Sequence, residues 1–236
     1  MAFFQDPARQ PFLRAPPVVL WLIALLVAIH ALLTFFFAAH ANEIYVTYGF
    51  IPARYSTTFL TRTGVNPGNL LDQALPFVTY IFLHGSWAHV LINCVWLLAF
   101  GAVVARRFGT ALFLGFFIVC GVAGAALHLA VYWGTTAPVI GASAGISGLM
   151  GAAFRMLPFG PRRPSDAPLE PLLSTRILVW SAIWALLNVG AGLTGFGGGP
   201  GVNFVAWVAH LGGYFAGLIL AGPFDAWARR RGASVP

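Results

Sequence analysis

Charged residues are scarce in this 236-residue sequence, at 8% of positions, against about 25% in an ordinary soluble domain. Lysine is missing altogether, so all 13 basic residues are Arg. With 59% hydrophobic residues and a mean hydropathy of +0.82, the chain has too little polar surface to cover a water-soluble globule. Most of it is read as dissolved in lipid. Cysteine is scarce too: Cys94 and Cys120 both lie inside apolar runs. Two such residues suggest neither a disulfide framework nor a metal cluster, and serve as small apolar fillers. The HExxH pattern is absent, and His84 and His89 are five apart, not four. No metal is therefore expected. The formal net charge of +7 raises nucleic-acid binding as a possibility. The arginines sit at the ends of apolar runs instead of on one soluble face, so the bilayer is the expected partner and nucleic acid is not. After MAFFQDPARQPFLR comes an apolar run too long for a signal-peptide core, so it is expected to remain as a membrane span.

Charges mark where the chain must surface, and a helix needs about 20 mainly apolar residues to cross a bilayer. Residues 15–42 and 73–105 each hold one span. The charge-free stretches 108–154 and 177–224 are each long enough for two. Each of these is broken by turn-forming residues, at Tyr132–Pro138 and at Gly195–Gly201. The expectation is an all-α polytopic bundle, one membrane domain over residues 1–236. Its six spans fall near 17–39, 86–105, 109–132, 139–156, 176–195 and 203–222. Arg9, Arg14, Arg106, Arg107, Arg155, Arg162, Arg163, Arg176, Arg229, Arg230 and Arg231 then lie on one side, and only Arg54 and Arg62 on the other. The positive-inside rule makes the Arg-rich side cytoplasmic, with both termini on it. Loop 40–85 faces outward. Segment 157–175, rich in Pro, reads as a flexible cytoplasmic connector.

Polar side chains within spans are costly, so each is a functional candidate. One group is His84-Gly85-Ser86-Trp87-Ala88-His89 followed by Asn93, where His89 and Asn93 share a helix face. A second, Gly141-Ala142-Ser143-Ala144-Gly145-Ile146-Ser147-Gly148, opens the fourth span, and a third, Ala209-His210-Leu211-Gly212-Gly213, lies in the sixth. Ser143 precedes Arg155 by 12 residues, Asn93 precedes Arg106 by 13 and His210 precedes Asp225 by 15. At 1.5 Å per residue these are heights of about 18, 20 and 22 Å. Three polar groups on three helices thus reach a similar depth in the outer half of the bilayer. A serine hydroxyl needs a base to become a nucleophile, and imidazole supplies one near neutral pH. A developing oxyanion needs donors such as an imidazole, an amide or a backbone N–H. Spans two, four and six hold no Asp or Glu. A Ser–His dyad is therefore expected, with packing and a backbone or water partner holding the imidazole. His30, His40 and His128 read as packing or interfacial residues.

These clusters, HGSWAHVLIN, GASAGISG and AHLGG, resemble the signature of rhomboid intramembrane proteases in order and in span number. The resemblance covers roughly residues 17–222. It implies an intramembrane serine endopeptidase that hydrolyses peptide bonds in or near transmembrane segments of other proteins and needs no cofactor. Ser143 would be the nucleophile and His210 the general base and acid. His89 and Asn93 would line the oxyanion hole, and His84 would order a loop. Gly141 and Gly145 would allow close approach around the nucleophile, and Gly213 with Gly217 tight packing against the fourth span. The resemblance further implies that the fifth span and its glycine-rich loop move aside to admit substrate, and Gly195–Gly201 has the backbone freedom for this. Family members usually carry Gly where this chain has Ala144. An exact G-x-S-G stands at Gly145–Gly148, so Ser147 is the other candidate; alignment of GASAGISGLMGA favours Ser143. Ser147 then occupies the place where many members put an aromatic residue against the catalytic histidine. Leu75-Pro76 stands where many have Trp-Arg, so the first outer loop is expected to be anchored differently. The rival reading is a non-catalytic rhomboid-like protein that binds transmembrane helices. A transporter would call for internal repeats or charged pathway residues, and neither is visible. The composition suits a bacterial inner (plasma) membrane.

Overall fold

The computed structural model describes residues 15–157, 167–194 and 206–232. Among these residues the architecture is helical, with one isolated antiparallel bridge, Phe50 to Val139. Helix α1 spans Pro17–Phe35 and starts on a proline whose missing N–H is no loss in a first turn. Four short helices follow: α2 (Ala41–Tyr48), α3 (Thr57–Thr63), α4 (Leu70–Ala74) and α5 (Pro76–Thr79). The second long helix runs Trp87–Phe108. It comprises α6 (Trp87–Trp96), a π-helical turn at Leu97–Gly101 and α7 (Ala102–Phe108). Gly109, at φ +74°, reverses the chain into α8 (Thr110–Val131). Helices α9 (Ser143–Met156), α10 (Thr175–Thr194) and α11 (Trp207–Arg230) complete the bundle.

Five helices are long and apolar enough to cross a membrane: α1, Trp87–Phe108, α8, α10 and α11. The span expected at 139–156 is the exception. Its helix begins only at Ser143 and has 14 residues, about 21 Å of rise against a hydrocarbon core of about 30 Å. Val139 is instead tied to Phe50 by two backbone hydrogen bonds of 3.0 and 2.8 Å, and Gly141 N–H donates to the Tyr80 carbonyl at 2.9 Å. The expected sixth span, 203–222, also differs. Helix α11 continues through Pro223 and Asp225 to Arg230. Asp225 does not end it, because Arg107 (2.6 Å) and Arg229 (3.0 Å) neutralise the carboxylate.

Helix α9 is the centre of the bundle: every residue from Ala144 to Ala153 is buried. It packs against α8 and α11 through glycines. Gly145 faces Phe117 and Gly148 faces Cys120 of α8 with no room for a Cβ. Gly213 and Gly217 of α11 rest on the carbonyl oxygens of Ala144 and Gly148, the contact expected of that pair. A Cβ on Gly124 of α8 would come 2.5 Å from the Ala209 carbonyl oxygen of α11. In lipid there is no hydrophobic drive to join apolar helices. Close van der Waals contact must supply the attraction, and small residues permit it.

At one end of the bundle Arg155 of α9 donates to the carbonyls of Leu218 (2.7 Å) and Glu170 (2.9 Å), and Glu170 pairs with Arg176 (3.2 Å). The described part of the 157–175 connector is therefore tied down, contrary to the flexible reading. Its prolines 158, 161 and 164 lie outside the described residues, as does the glycine-rich stretch Gly195–Gly201. At the other end, Phe50, Tyr55, Phe77 and Tyr80 pack ring against ring, and Tyr55 donates to the Gln73 carbonyl at 2.7 Å. This aromatic cluster anchors the first loop where Trp-Arg is absent.

Gly217→Val should lower the thermal unfolding midpoint in detergent. Forcing methyl groups into a packed contact costs about 1–3 kcal/mol or more. Gly115→Ala, where a Cβ meets nothing within 4 Å, should leave the midpoint unchanged or raise it. Equal midpoints for the two variants would contradict backbone contact between α9 and α11.

Candidate active site

Ser143 is the first residue of α9, and Ala142 is its N-cap. The first-turn N–H groups of a helix lack intrahelical partners and carry a partial positive charge, so anions are favoured beside this hydroxyl. The chain enters the helix through Gly141 at φ +122°, a conformation that side chains with a Cβ rarely adopt. A Cβ there would also come within 2.7 Å of His89 Nε2, and 3.7 Å from Ser143 Oγ. The imidazole of His89 and the hydroxyl of Ser143 therefore flank the same glycine.

His210 projects from α11, one turn before the Gly213 contact with Ala144. Its Nε2 lies 2.7 Å from Ser143 Oγ. Its Nδ1 lies 2.8 Å from Oδ1 of Asn188 on α10, and Nδ2 of Asn188 donates to the Trp207 carbonyl at 2.9 Å. The expectation that a backbone group or water would hold this imidazole is corrected: a side-chain amide holds it. Asn188 was legible by the depth arithmetic applied to the other clusters. It lies 12 residues after Arg176, about 18 Å along the helix, level with Ser143. It was missed because it stands alone in its span, without a neighbouring motif.

Asn93 is buried on α6 and donates from Nδ2 to the His89 carbonyl one turn back, at 3.0 Å. Ser86 caps α6 by accepting from His89 N–H at 3.2 Å, which fixes the turn bearing His89. His84 is fully buried. Its Nε2 faces the Ala142 N–H at 3.5 Å, and its carbonyl oxygen takes bonds from Tyr45 Oη (2.8 Å) and His30 Nδ1 (3.0 Å). Burial, with the His89 and His30 imidazoles close by, pushes the His84 ring down to about 3. It is neutral at physiological pH, as an imidazole facing an N–H must be. His30, read from sequence as a packing residue, thus belongs to the scaffold of the site. Its signal was its place within α1, where no charge or motif drew attention to it.

Gly145 makes its close approach to the Phe117 ring of α8, which sets how near α9 lies to α8. Ser147 is buried one turn below Ser143. Both His210 nitrogens are engaged by Ser143 and Asn188, so the imidazole addresses Ser143 and not Ser147. Among the described residues no group of three or more His, Cys, Asp or Glu side chains converges to hold a metal ion. A hydroxyl, an imidazole aimed at it, a helix N-terminus and a second imidazole beside it make a constellation suited to nucleophilic attack on a carbonyl.

The sequence matches the Rhomboid domain family over residues 71–224. It is 28% identical to a Bacillus subtilis (strain 168) protein named "Putative rhomboid protease YdcA", in an alignment covering 86% of this chain and 95% of that one. The matched segment runs from Leu71 to Phe224 and contains each of the polar clusters. With five apolar helices long enough to span a bilayer, this is an integral membrane protein, and it belongs to the rhomboid family.

Proposed function

We propose that this protein is an intramembrane serine endopeptidase acting through a Ser143–His210 dyad. The observation that carries the reading is the 2.7 Å approach of His210 Nε2 to Ser143 Oγ across 67 residues of sequence. Ser143 Oγ attacks the scissile carbonyl carbon while Nε2 takes its proton. The resulting oxyanion is stabilised by the Ser143 N–H at the α9 N-terminus, with His89 and Asn93 as side-chain donors. The protonated imidazole then donates to the leaving amine as the C–N bond breaks, leaving an acyl-serine. Water, deprotonated by the same Nε2, hydrolyses that ester and restores the hydroxyl. For Asn93 to serve, its amide must turn from the His89 carbonyl, or use its second N–H, when the oxyanion forms.

The substrates are transmembrane segments of other proteins. A helical carbonyl is hydrogen-bonded and hindered, so a scissile segment must unwind, which favours helix-weakening residues near the outer surface. In this reading α9 counts as a sixth span that starts below the outer surface, with Ser143 at its top. Both termini and the Arg107, Arg155 and Arg229 end of the bundle face the cytoplasm of a bacterial inner membrane. Only Ile177 and Gly192 of α10 are buried. This supports α10 as the helix that yields to an incoming segment.

Ser143→Ala and His210→Ala should each lower cleavage of a model transmembrane substrate at least about 10³-fold, as loss of a nucleophile or its base does. Both variants should keep the wild-type unfolding midpoint. A fluorophosphonate should label wild type and Ser147→Ala but not Ser143→Ala. Labelling lost in Ser147→Ala alone would move the nucleophile one turn down. No labelling of wild type would favour a non-catalytic helix-binding protein.

Orientation is tested separately. Single cysteines at exposed positions between and beyond the long helices, in a background with Cys94 and Cys120 replaced, should react with an impermeant maleimide on intact cells at Arg62 and not at Arg231. The reverse pattern would invert the topology.

A further inference from the structure

The carbonyl of Trp207 can only accept a hydrogen bond. Its contact with Asn188 Nδ2 therefore sets which way the amide points, leaving Oδ1 toward His210. An amide oxygen also only accepts, so His210 Nδ1 must carry the proton. In a neutral imidazole Nε2 is then bare, and it is Nε2 that faces Ser143. One carbonyl on α11 thus determines, through an amide on α10, which nitrogen is free to receive the serine proton. Ser147, one turn past Ser143, has no ring to press on the imidazole, so this hydrogen bond is the directional restraint on it.

The helix that supplies this restraint is the one least held by the bundle. The buried residues of α10 are Ile177 and Gly192. Gly192 lies one turn from Asn188 and packs on the Trp207 side chain with no room for a Cβ. Asn188 and Gly192 therefore meet the same residue of α11, one through a hydrogen bond and the other through contact. If α10 leaves α11, both are lost together.

We propose that Asn188 is a positioning residue for the dyad, making the readiness of His210 as a base depend on α10 being seated against α11. The proposal rests on the reading of Ser143 and His210 as nucleophile and base. It implies that a displaced α10 admits substrate with the base unset, and that the chemical step follows the return of α10.

The test uses the full-length protein in detergent with a transmembrane substrate and a fluorophosphonate. Asn188→Leu should lower kcat about tenfold or more, as loss of tautomer control does, with KM nearly unchanged. Asn188→Asp keeps an acceptor for Nδ1–H but cannot donate to the Trp207 carbonyl. It should recover most of kcat if positioning matters, and none if Asn188 merely ties α10 to α11. Nitrogen-15 spectra of the histidine rings should show His210 as the Nδ1–H tautomer in wild type and a mixture in Asn188→Leu. Because that readout needs no turnover, it tests the proposal even if cleavage is absent and the dyad reading fails. Gly192→Ala, which wedges α10 from Trp207, should slow fluorophosphonate labelling in wild type and add nothing in Asn188→Leu. Additive effects, full kcat in Asn188→Leu, or an Nε2–H tautomer in wild type would each overturn the proposal.

Discussion

The distance between two backbones governs this protein. Gly213 lies one turn from His210 on α11, and Ala144 follows Ser143 on α9. The Cα of the glycine rests on the carbonyl of the alanine. Any side chain at 213 would push the helices apart next to the point where imidazole and hydroxyl must meet at 2.7 Å. Gly217 on Gly148 repeats the contact a turn lower, and Gly124 brings α8 against both helices. In water a core can be closed by burying large apolar side chains. In lipid that gain is absent, and the same glycines that let the helices associate also set the reach of the site.

Much of this was legible because membrane sequences are strongly constrained. Charge must surface, so the positions of Arg and Asp marked the helices α1, Trp87–Phe108, α8, α10 and α11 to within a few residues at most of their ends. Polar residues must not lie in lipid without reason, so Ser143, His210, His89 and Asn93 stood out. Span boundaries failed where tertiary contacts compete with hydropathy. Val139 and Ile140 are as apolar as any helix residue, yet Val139 pairs with Phe50, and hydropathy carries no signal for that bridge. Asp225 was taken as a terminus because the pattern shows a charge but not its partner, Arg107, 118 residues away. Asn188 was missed for the opposite reason: a single amide announces nothing until the ring it holds is placed beside it.

The two ends of the bundle solve the cost of polar groups differently. At the Arg-rich end, Asp225 is shared by Arg107 and Arg229, and Arg155 caps the Leu218 carbonyl, so charge is neutralised and the helix ends are fixed. A buried pair of this kind gives little net stability but is costly to break, which suits a fixed base. At the other end, the polar groups gathered around Ser143 are imidazoles, an amide and a hydroxyl. His84 takes bonds on its carbonyl from Tyr45 and His30 and turns its ring toward the Ala142 N–H. The N-cap of α9 is thereby joined to α2 and to α1. Such partners suit the proposed entry of water and a peptide, because a hydrogen bond there can be exchanged without breaking an ion pair.

That asymmetry bears on which part of the molecule is able to move. Helices α8, α9 and α11 are locked by glycine contacts along their lengths, and a tilt of any one would strand carbonyls or open voids. Helix α10 begins in the Arg176–Glu170 pair and then presents mostly exposed apolar side chains such as Leu186, Leu187 and Leu193. In a bilayer those side chains lie as well against lipid as against protein, so displacing the helix loses little packing. What it does lose is specific: the Trp184 ring stacked on Tyr214 at 4.2 Å, the buried Ile177, the Gly192 contact with Trp207, the Ser181–Tyr214 hydrogen bond of 2.8 Å and the Asn188 bonds to Trp207 and His210. The polar bonds among these are each worth about 0.5–1.5 kcal/mol, and with one ring stack and one buried side chain they are a modest hold, consistent with the proposed yielding of α10. One of those bonds ends on His210, so the helix proposed to yield and the residue proposed as base meet at a single imidazole.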